Sequence, residues 1–243
     1  MTFCDWPWRH WRQRRGEAQA LRLNDQPLTW RDLCAHVDAL AAGFAAQGVT
    51  EGHGVALQAF NQPATLLAWL ALLQCGARVL PLNPQLPAAL LQELLPALNV
   101  QHQLVLNGDV LPGNLPMLTL QLVEGEHAAC WHGDRLLSMT LTSGSTGLPK
   151  AAVHSANAHL ASAAGVLALM PFAAGDDWLL SLPLFDGGQR SAEVDRTVAS
   201  YDETVAKYRQ TVLDGFREVE NYMVQLKVLE DEANRQVLWA RLQ

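Results

Sequence analysis

Prolines divide this chain into two parts that must fold differently. All 12 prolines lie at or before Pro183, and the 60 residues that follow contain none. Charge follows the same division: the 57 residues from 187 onward carry 18 Asp, Glu, Lys or Arg side chains, and the preceding 186 residues carry 23. Because proline interrupts helices and strand ladders, the first part favours short elements, whereas the second can form one long helix. We therefore predict two unlike segments, 1–185 and 186–243.

The first segment alternates between helical and strand patterns. Apolar residues recur at helical spacing from Trp30 to Gln47, and Gly48 follows as a helix C-cap does. Further helices are predicted at 64–74, at 90–98 and from about 155, and strands at 54–59, 77–82, 103–106 and 136–141. Strand–helix–strand units at this spacing predict an α/β fold with a mostly parallel sheet covered by helices.

The second segment has a single periodicity. Its apolar residues alternate between spacings of three and four: Val194, Val198, Tyr201, Val205, Tyr208, Val212, Phe216, Val219, Met223 and Leu226. This period, near 3.5, predicts a long amphipathic helix with a coiled-coil-like seam from about 192 to 236. Since such a helix is stable only when its seam is buried, the tail could self-associate through that seam.

Overall charge excludes some classes of partner. A formal net charge of −7 argues against a nucleic-acid or anionic-membrane binder, because both need a basic surface. The basic, tryptophan-containing stretch 8–15 is a local exception that would suit a phosphate or lipid contact. We favour the alternative, an amphipathic first helix with its tryptophans inside and its arginines in water.

Cysteine spacing and the N-terminal pattern point to the cytoplasm. Four cysteines are widely separated and form no zinc-type cluster: Cys4, Cys34, Cys75 and Cys130. Asp5, Pro7 and a run of arginines occupy the place of a signal-peptide core. The apolar stretch 64–82 is as long as a membrane span, but Gly76 and Pro81 interrupt it. We therefore interpret it as a buried helix, a turn and a buried strand.

The segment Thr142–Lys150 contains the most informative motif. Its glycines let backbone amides turn toward a polyphosphate, its hydroxyls supply further donors, and Lys150 adds a positive charge. The candidate phosphate-binding residues are Thr142, Ser143, Gly144, Ser145, Thr146, Gly147 and Lys150. The spacing differs from that of a Walker A loop, and the alternative of a generic Gly/Ser linker does not account for the order of residues. We assign no catalytic residue and no metal ligand.

The order T-S-G-S-T-G-L-P-K resembles the phosphate loop of the AMP-forming adenylating superfamily, which includes acyl-CoA ligases, luciferases and peptide-synthetase adenylation domains. The stretches DWPWRHW, LLAWLALLQCGARVLP and SMTLTSGSTGLPKAAVH resemble the o-succinylbenzoate–CoA ligases of menaquinone biosynthesis, over 1–185. The resemblance implies ATP, Mg²⁺ and coenzyme A as cofactors and o-succinylbenzoate as the substrate. It also implies an acyl-adenylate intermediate, from which coenzyme A displaces AMP.

Other polar residues are weaker candidates. His154 and His159 flank the start of the predicted helix, where capping or core packing is favoured over catalysis. Asp176 and Asp177 could suggest a metal site, but a turn with solvated carboxylates is the better interpretation. Trp69 is interpreted as a core residue.

The ligase resemblance ends near residue 185. Asp186 occupies a position where the superfamily has a histidine, and the later motifs of the superfamily do not follow. Residues 182–236 instead resemble outer-membrane channel proteins of efflux pumps, and Leu182 to Phe185 fit both families. A generic amphipathic helix is the alternative for the tail.

Three functions are compatible with this composite chain. The first is a ligase-derived fragment with weak or no activity, and the second is a non-catalytic nucleotide-binding remnant. The third is a coiled-coil or channel element provided by the tail. We expect the first.

Overall fold

The computed structural model describes residues 3–23, 25–142 and 149–169, together with 172, 176, 179 and 184. All of them fall in the first of two units into which the backbone contacts divide the chain, Met1–Gln189. The predicted helical tail, the predicted boundary at 185/186 and loop residues 143–148 lie outside the described residues, and they stay predictions.

Five strands of the described unit form one mixed sheet. Along the chain the elements are α1 (Pro7–Arg15), β1 (Gln19–Leu23), β2 (Gln26–Thr29), α2 (Trp30–Ala46), β3 (Gly54–Gln58), α3 (Pro63–Gln74), β4 (Arg78–Leu82), α4 (Ala88–Leu94), a 3₁₀ turn (Leu95–Leu98), β5 (His102–Val105), β6 (Leu136–Thr142), β7 (Lys150–Ser155) and α5 (Ala156–Leu169). The sheet order is β5-β3-β4-β6-β7. Its first three pairings are parallel and β6–β7 is antiparallel, so the predicted α/β fold with a mostly parallel sheet is confirmed.

The helices and strands predicted from local sequence signals in the first part of the chain agree with those in the structure. The side chain of Thr29 caps α2 by accepting a hydrogen bond from the Asp32 backbone N–H at 3.1 Å. Gly48 follows the end of α2 with φ +91°, a left-handed conformation that glycine adopts without strain. The stretch 64–82 is indeed a helix, a turn at Gly76 and a strand.

Two short features were not predicted. The β1–β2 hairpin turns through Asp25, whose φ of +65° is left-handed. The chain after the candidate loop forms β7, which was not predicted, and the helix predicted from about residue 155 follows it as α5. β7 has little apolar alternation (Lys-Ala-Ala-Val-His-Ser), and its pairing with β6 is what makes it a strand.

Helices cover both faces of the sheet. On one face Val55, Leu57 and Val79 pack with the apolar sides of α1, α2 and α3. On the other face Ala56 and Leu80 join a second apolar cluster that includes residues of α4. Every residue of β3 is buried, as expected for a parallel strand covered on both faces. Trp69 packs against the first cluster although it is only partly buried.

A polar network fastens α1 to α2 and α3. Arg9 and Arg12 each donate to the Asp38 carboxylate at 3.0 Å, and only 7% of the Asp38 side chain is exposed. Gln74 donates to the same carboxylate at 2.7 Å and accepts from the Trp8 indole at 2.7 Å. Of the two tryptophans of this helix, Trp8 is therefore inside, as predicted, and Trp11 is only partly buried. The expectation of arginines in water was wrong for Arg9 and Arg12, because a buried carboxylate on α2 needs their charge.

All four cysteines are free thiols. Burial raises the pKa of the Cys34 thiol to about 11 and that of Cys75 to about 12. Cys4 and Cys130 are exposed. No helix within the described ranges is long and apolar enough to span a bilayer.

Candidate phosphate-binding site

The candidate loop joins two adjacent antiparallel strands. Thr142, the last residue of β6, and Lys150, the first residue of β7, are register partners across the base of the loop. The Thr142 hydroxyl donates to the Lys150 carbonyl at 3.1 Å. Two of the seven predicted phosphate-binding residues therefore lie at a fixed base, and the other five lie outside the described residues.

The loop leaves the carboxyl edge of the parallel strands. β6 runs parallel to β4, with Ser138 paired to Val79, so Thr142 lies at the edge where β3, β4 and β5 also end. In open α/β sheets, ligands bind outside the carboxyl ends of the strands. The base of the predicted phosphate loop thus lies at the edge where open α/β sheets bind their ligands.

Helix α5 does not assist the loop with its N-terminus. β7 runs antiparallel to β6 and ends at Ser155, which pairs with Leu136 at the start of β6. Five residue steps of strand place the beginning of α5 about 17 Å from Lys150, at the opposite edge of the sheet. The N-terminus of α5, and with it the positive end of that helix dipole, therefore lies away from the base of the loop.

Lys150 is available for an anionic ligand. Its side chain is exposed, and it makes no ion pair within the part of the chain that the structure describes. A lysine ammonium is a compact charge with three donors on a flexible stem, which suits β- and γ-phosphate oxygens.

The same edge of the sheet carries a set of amide side chains. Asn107 accepts from the Phe60 backbone N–H at 3.0 Å and from the Gln62 side chain at 3.4 Å. Asn61 accepts from the Leu184 backbone N–H at 2.9 Å. These contacts order the loop after β3 beside the carboxyl edge. These residues were not predicted from the sequence, although the pair Asn61-Gln62, three residues after the end of buried strand β3, was a usable signal.

The two histidines lie away from the loop. The Nε2 atom of His159 is 2.9 Å from the buried Ser138 hydroxyl, and its ring centroid is 5.7 Å from that of His154. Partial burial of the ring, and then the neighbouring His154, lower the pKa of His159. Ser138 is four residues before Thr142, about 13 Å along the strand. This arrangement favours the packing interpretation of both histidines.

The described part of the chain was also compared with what a metal ion requires. No group of three or more His, Cys, Asp or Glu side chains within the described ranges could hold a metal ion. Asp176 is described and Asp177 is not, so the Asp176–Asp177 pair cannot be placed. Mg²⁺ prefers phosphate and carboxylate oxygens, and the phosphates of a bound nucleotide would supply them.

The described unit is an α/β domain with a mostly parallel sheet, in which a glycine-, hydroxyl- and lysine-containing segment connects β6 to β7. The AMP-binding enzyme family model matches residues 8–193, and the chain belongs to that family.

Individual members of this family and their solved structures are similar to the chain over the same region. The chain is 70% identical over 185 residues to the 2-succinylbenzoate–CoA ligase of Escherichia coli strain K12, covering 76% of this chain and 41% of that protein. A solved structure of an E. coli MenE variant with bound OSB-AMS superposes with a TM-score of 0.74 at 69% identity, covering 76% and 42%. The Klebsiella oxytoca NpsA N-terminal subdomain, in complex with 3-hydroxybenzoyl-AMSN, gives a TM-score of 0.51 at 26% identity, covering 61% and 39%. The chain thus spans about two fifths of the length of its curated relative.

A second family matches the end of the chain. The model described as outer membrane efflux protein matches residues 179–241 and overlaps the first match at 179–193. Both resemblances inferred from the sequence are therefore confirmed, including the overlap around Leu182 to Phe185.

Proposed function

We propose that residues 1–185 are the polyphosphate-binding part of an AMP-forming acid–CoA ligase that acts on 2-succinylbenzoate. The loop between β6 and β7 carries the proposal, because Thr142 and Lys150 hold its base at the carboxyl edge within a stretch 70% identical to that ligase. Residues 143–147 would supply amides and hydroxyls above that base.

Lys150 and the loop donors would act on the pyrophosphate end of ATP. In adenylation, a carboxylate oxygen of the acid bonds to the α-phosphorus and the bond from that phosphorus to the β-phosphate oxygen breaks. Negative charge grows on the departing pyrophosphate, and preorganised N–H, O–H and ammonium donors stabilise it. Mg²⁺ would neutralise the same oxygens when bound. Coenzyme A would then displace AMP from the acyl group; no described residue is assigned to coenzyme A.

The 243-residue chain is proposed to be a ligase-derived fragment that supports little or none of this reaction. The residues from 194 to 241 match the efflux family and not the ligase family, so they do not supply the part of the ligase that follows the match. Positioning of ATP and acid supplies much of the rate in such reactions, and a loop alone positions only the phosphates. A nucleotide-binding remnant is the second candidate, favoured by the efflux-type sequence that follows the overlap.

Pyrophosphate exchange distinguishes a working adenylation site from a remnant. The chain is incubated with 2-succinylbenzoate, ATP, Mg²⁺ and labelled pyrophosphate. We expect no acid-dependent label in ATP above that of a Lys150→Ala control. Exchange that depends on both the acid and Lys150 would show that the chain is an active adenylating enzyme.

Residues 186–243 are proposed to be a helical segment that self-associates. The proposal rests on the three–four apolar spacing through Val198, Val205 and Val212 and on the efflux-family match. A peptide of residues 188–236 should gain helicity with concentration, and Val205→Asp should remove that gain.

We further propose a cytoplasmic location for the ligase-like unit.

A further inference from the structure

Two histidine rings lie together at the corner where β7 passes into α5. The ring centroids of His154 and His159 are 5.7 Å apart, with an angle of 57° between the ring planes. A metal ion about 2.1 Å from one nitrogen of each ring lies about 3.2 Å from each centroid, so one ion can be shared by rings whose centroids are up to about 6.4 Å apart. The observed separation is within that reach, and a tetrahedral angle at the ion would give about 5.2 Å.

The corner that carries both rings is held by hydrogen bonds. Ser155 caps α5, because its hydroxyl accepts from the Ala158 backbone N–H at 3.2 Å. The backbone N–H groups of Ala156 and Asn157 each donate at 2.8 Å to carbonyls of the segment just before β6. Two ligands on a fixed corner lose little conformational freedom when they bind an ion.

Each ring has a nitrogen available to an ion. The Nε2 atom of His159 is 2.9 Å from the hydroxyl of Ser138, which is buried. When that hydroxyl accepts from Nε2–H, Nδ1 keeps its lone pair, as in metal-binding histidines whose other nitrogen donates to a second group. The ring of His154 has no hydrogen-bond partner among the described residues. Partial burial of the ring, and then His154, lower the pKa of His159, so this ring is neutral near pH 7, as ligation requires.

Another pair of histidines is equally close but is not suited to an ion. The ring centroids of His53 and His102 are 5.2 Å apart. Thr50 occupies both nitrogens of His53: its backbone N–H donates to Nδ1 at 3.3 Å, and its hydroxyl is 2.9 Å from Nε2. His102 is buried, whereas His154 is partly exposed and His159 is exposed. Water can therefore complete the coordination of an ion at the second pair and not at the first.

We propose that His154 and His159 form a two-histidine site for a divalent transition metal such as Zn²⁺, with water in the remaining coordination positions. Imidazole nitrogen suits Zn²⁺, Cu²⁺ and Ni²⁺, whereas Mg²⁺ prefers oxygen ligands. Two protein ligands predict weaker binding than the three or four of an ordinary zinc site. The ion would fasten the first turn of α5, a helix whose buried residue is Ala156, to the end of β7. The proposal does not depend on the proposed ligase function.

Calorimetric titration with Zn²⁺ tests the site in the full 243-residue chain, prepared without a histidine tag. Because exposed thiols also bind zinc, the chain carries Cys4→Ser and Cys130→Ser in every measurement. We expect one Zn²⁺ per chain, an affinity lowered at least tenfold by either His154→Gln or His159→Gln, and no competition by excess Mg²⁺. His53→Gln is the matched control and should leave the affinity unchanged.

Nitrogen NMR of the histidine rings provides a second measurement, which needs no ring substitution and therefore does not depend on the folding of a variant. Zn²⁺ should shift the Nδ1 resonance of His159 while Nε2 keeps its proton, and it should shift one nitrogen of His154. The melting temperature should rise with the Zn²⁺ concentration.

Three outcomes would overturn the proposal: no Zn²⁺ binding at neutral pH, binding that survives both His154→Gln and His159→Gln, and ring resonances that Zn²⁺ leaves unchanged. Failure of the phosphate loop has a separate readout, because Lys150→Ala should weaken ATP binding and leave Zn²⁺ binding unaltered.

Discussion

Thr142 and Lys150 face each other across the base of the candidate loop, with the threonine hydroxyl donating to the lysine carbonyl at 3.1 Å. This contact fixes where the loop leaves β6 and returns on β7. It joins the first and the last of the predicted phosphate-binding residues.

Removing the Thr142 hydroxyl should loosen that base. Thr142→Val keeps the β-branched shape that suits a strand, so the fold should persist. We expect ATP affinity to fall about fivefold, equivalent to about 1 kcal/mol for one neutral hydrogen bond. Thr140→Val, two residues earlier on β6, is the control. Titration with a fluorescent ATP analogue measures the ATP affinity of both variants. Equal affinities would show that the Thr142 hydroxyl does not contribute to ATP binding.

The Asp38 network should be the most sensitive point of the fold outside the apolar core. Asp38→Ala leaves Arg9 and Arg12 without their buried partner, which typically costs about 3–5 kcal/mol. Glu126 contacts the same arginines but is 57% exposed, so Glu126→Ala should cost about 1 kcal/mol or less. Urea unfolding gives both free energies of unfolding. Similar values for the two variants would show that the network does not support the fold.

Sequence reasoning found the elements whose signals are local. Helix α2 has an apolar stripe, a threonine cap and a terminal glycine, and all three are readable in one short window. β7 was missed because Lys150 to Ser155 form a strand only through pairing with β6. Asp38 was a visible anomaly on the apolar side of α2, yet its partners Arg9 and Arg12 lie 29 and 26 residues away. Contacts at that separation depend on tertiary packing, which no periodicity reports.

In the candidate site, too, local signals could be read from the sequence, whereas features that depend on tertiary packing could not. The order of residues in the loop predicts phosphate binding, which stays a prediction, and the strand predicted before the loop is confirmed as β6. The turn back along β6, which separates the loop from the N-terminus of α5, depends on β6–β7 pairing and could not be inferred from the motif.

Acid should destabilise the unit through His102. This residue is 7% exposed, its Nδ1 has no hydrogen-bond partner among the described residues, and the ring of His53 lies 5.2 Å away. Burial, and then His53, lower the pKa of His102 below its usual value of about 6.5. The unfolded chain therefore binds this proton more readily than the folded chain does. The stabilisation is complete above about pH 6.5 and is lost as the pH falls toward the folded-state pKa, and His159 contributes in the same sense.

Melting temperatures between pH 7.5 and pH 5.5 measure this effect. The unaltered chain should melt at lower temperature as the pH falls, and His102→Gln should make that dependence shallower. His36→Gln removes an exposed histidine and serves as the control. An unchanged pH dependence in His102→Gln would show that this buried ring is not a source of acid lability.

Equilibrium binding of ATP to the 243-residue chain tests the central claim most directly, because it asks whether the loop binds a polyphosphate without requiring turnover. Calorimetry should show ATP binding, competition by inorganic tripolyphosphate and no competition by adenosine, since the proposed contacts are to phosphates. Lys150→Ala should weaken binding at least tenfold, the loss of one charge-assisted contact worth about 1.5–3 kcal/mol. Arg14→Ala, which removes an exposed positive charge on α1, should leave the affinity unchanged. A chain that does not bind ATP, or that binds it equally well after Lys150→Ala, would contradict the account.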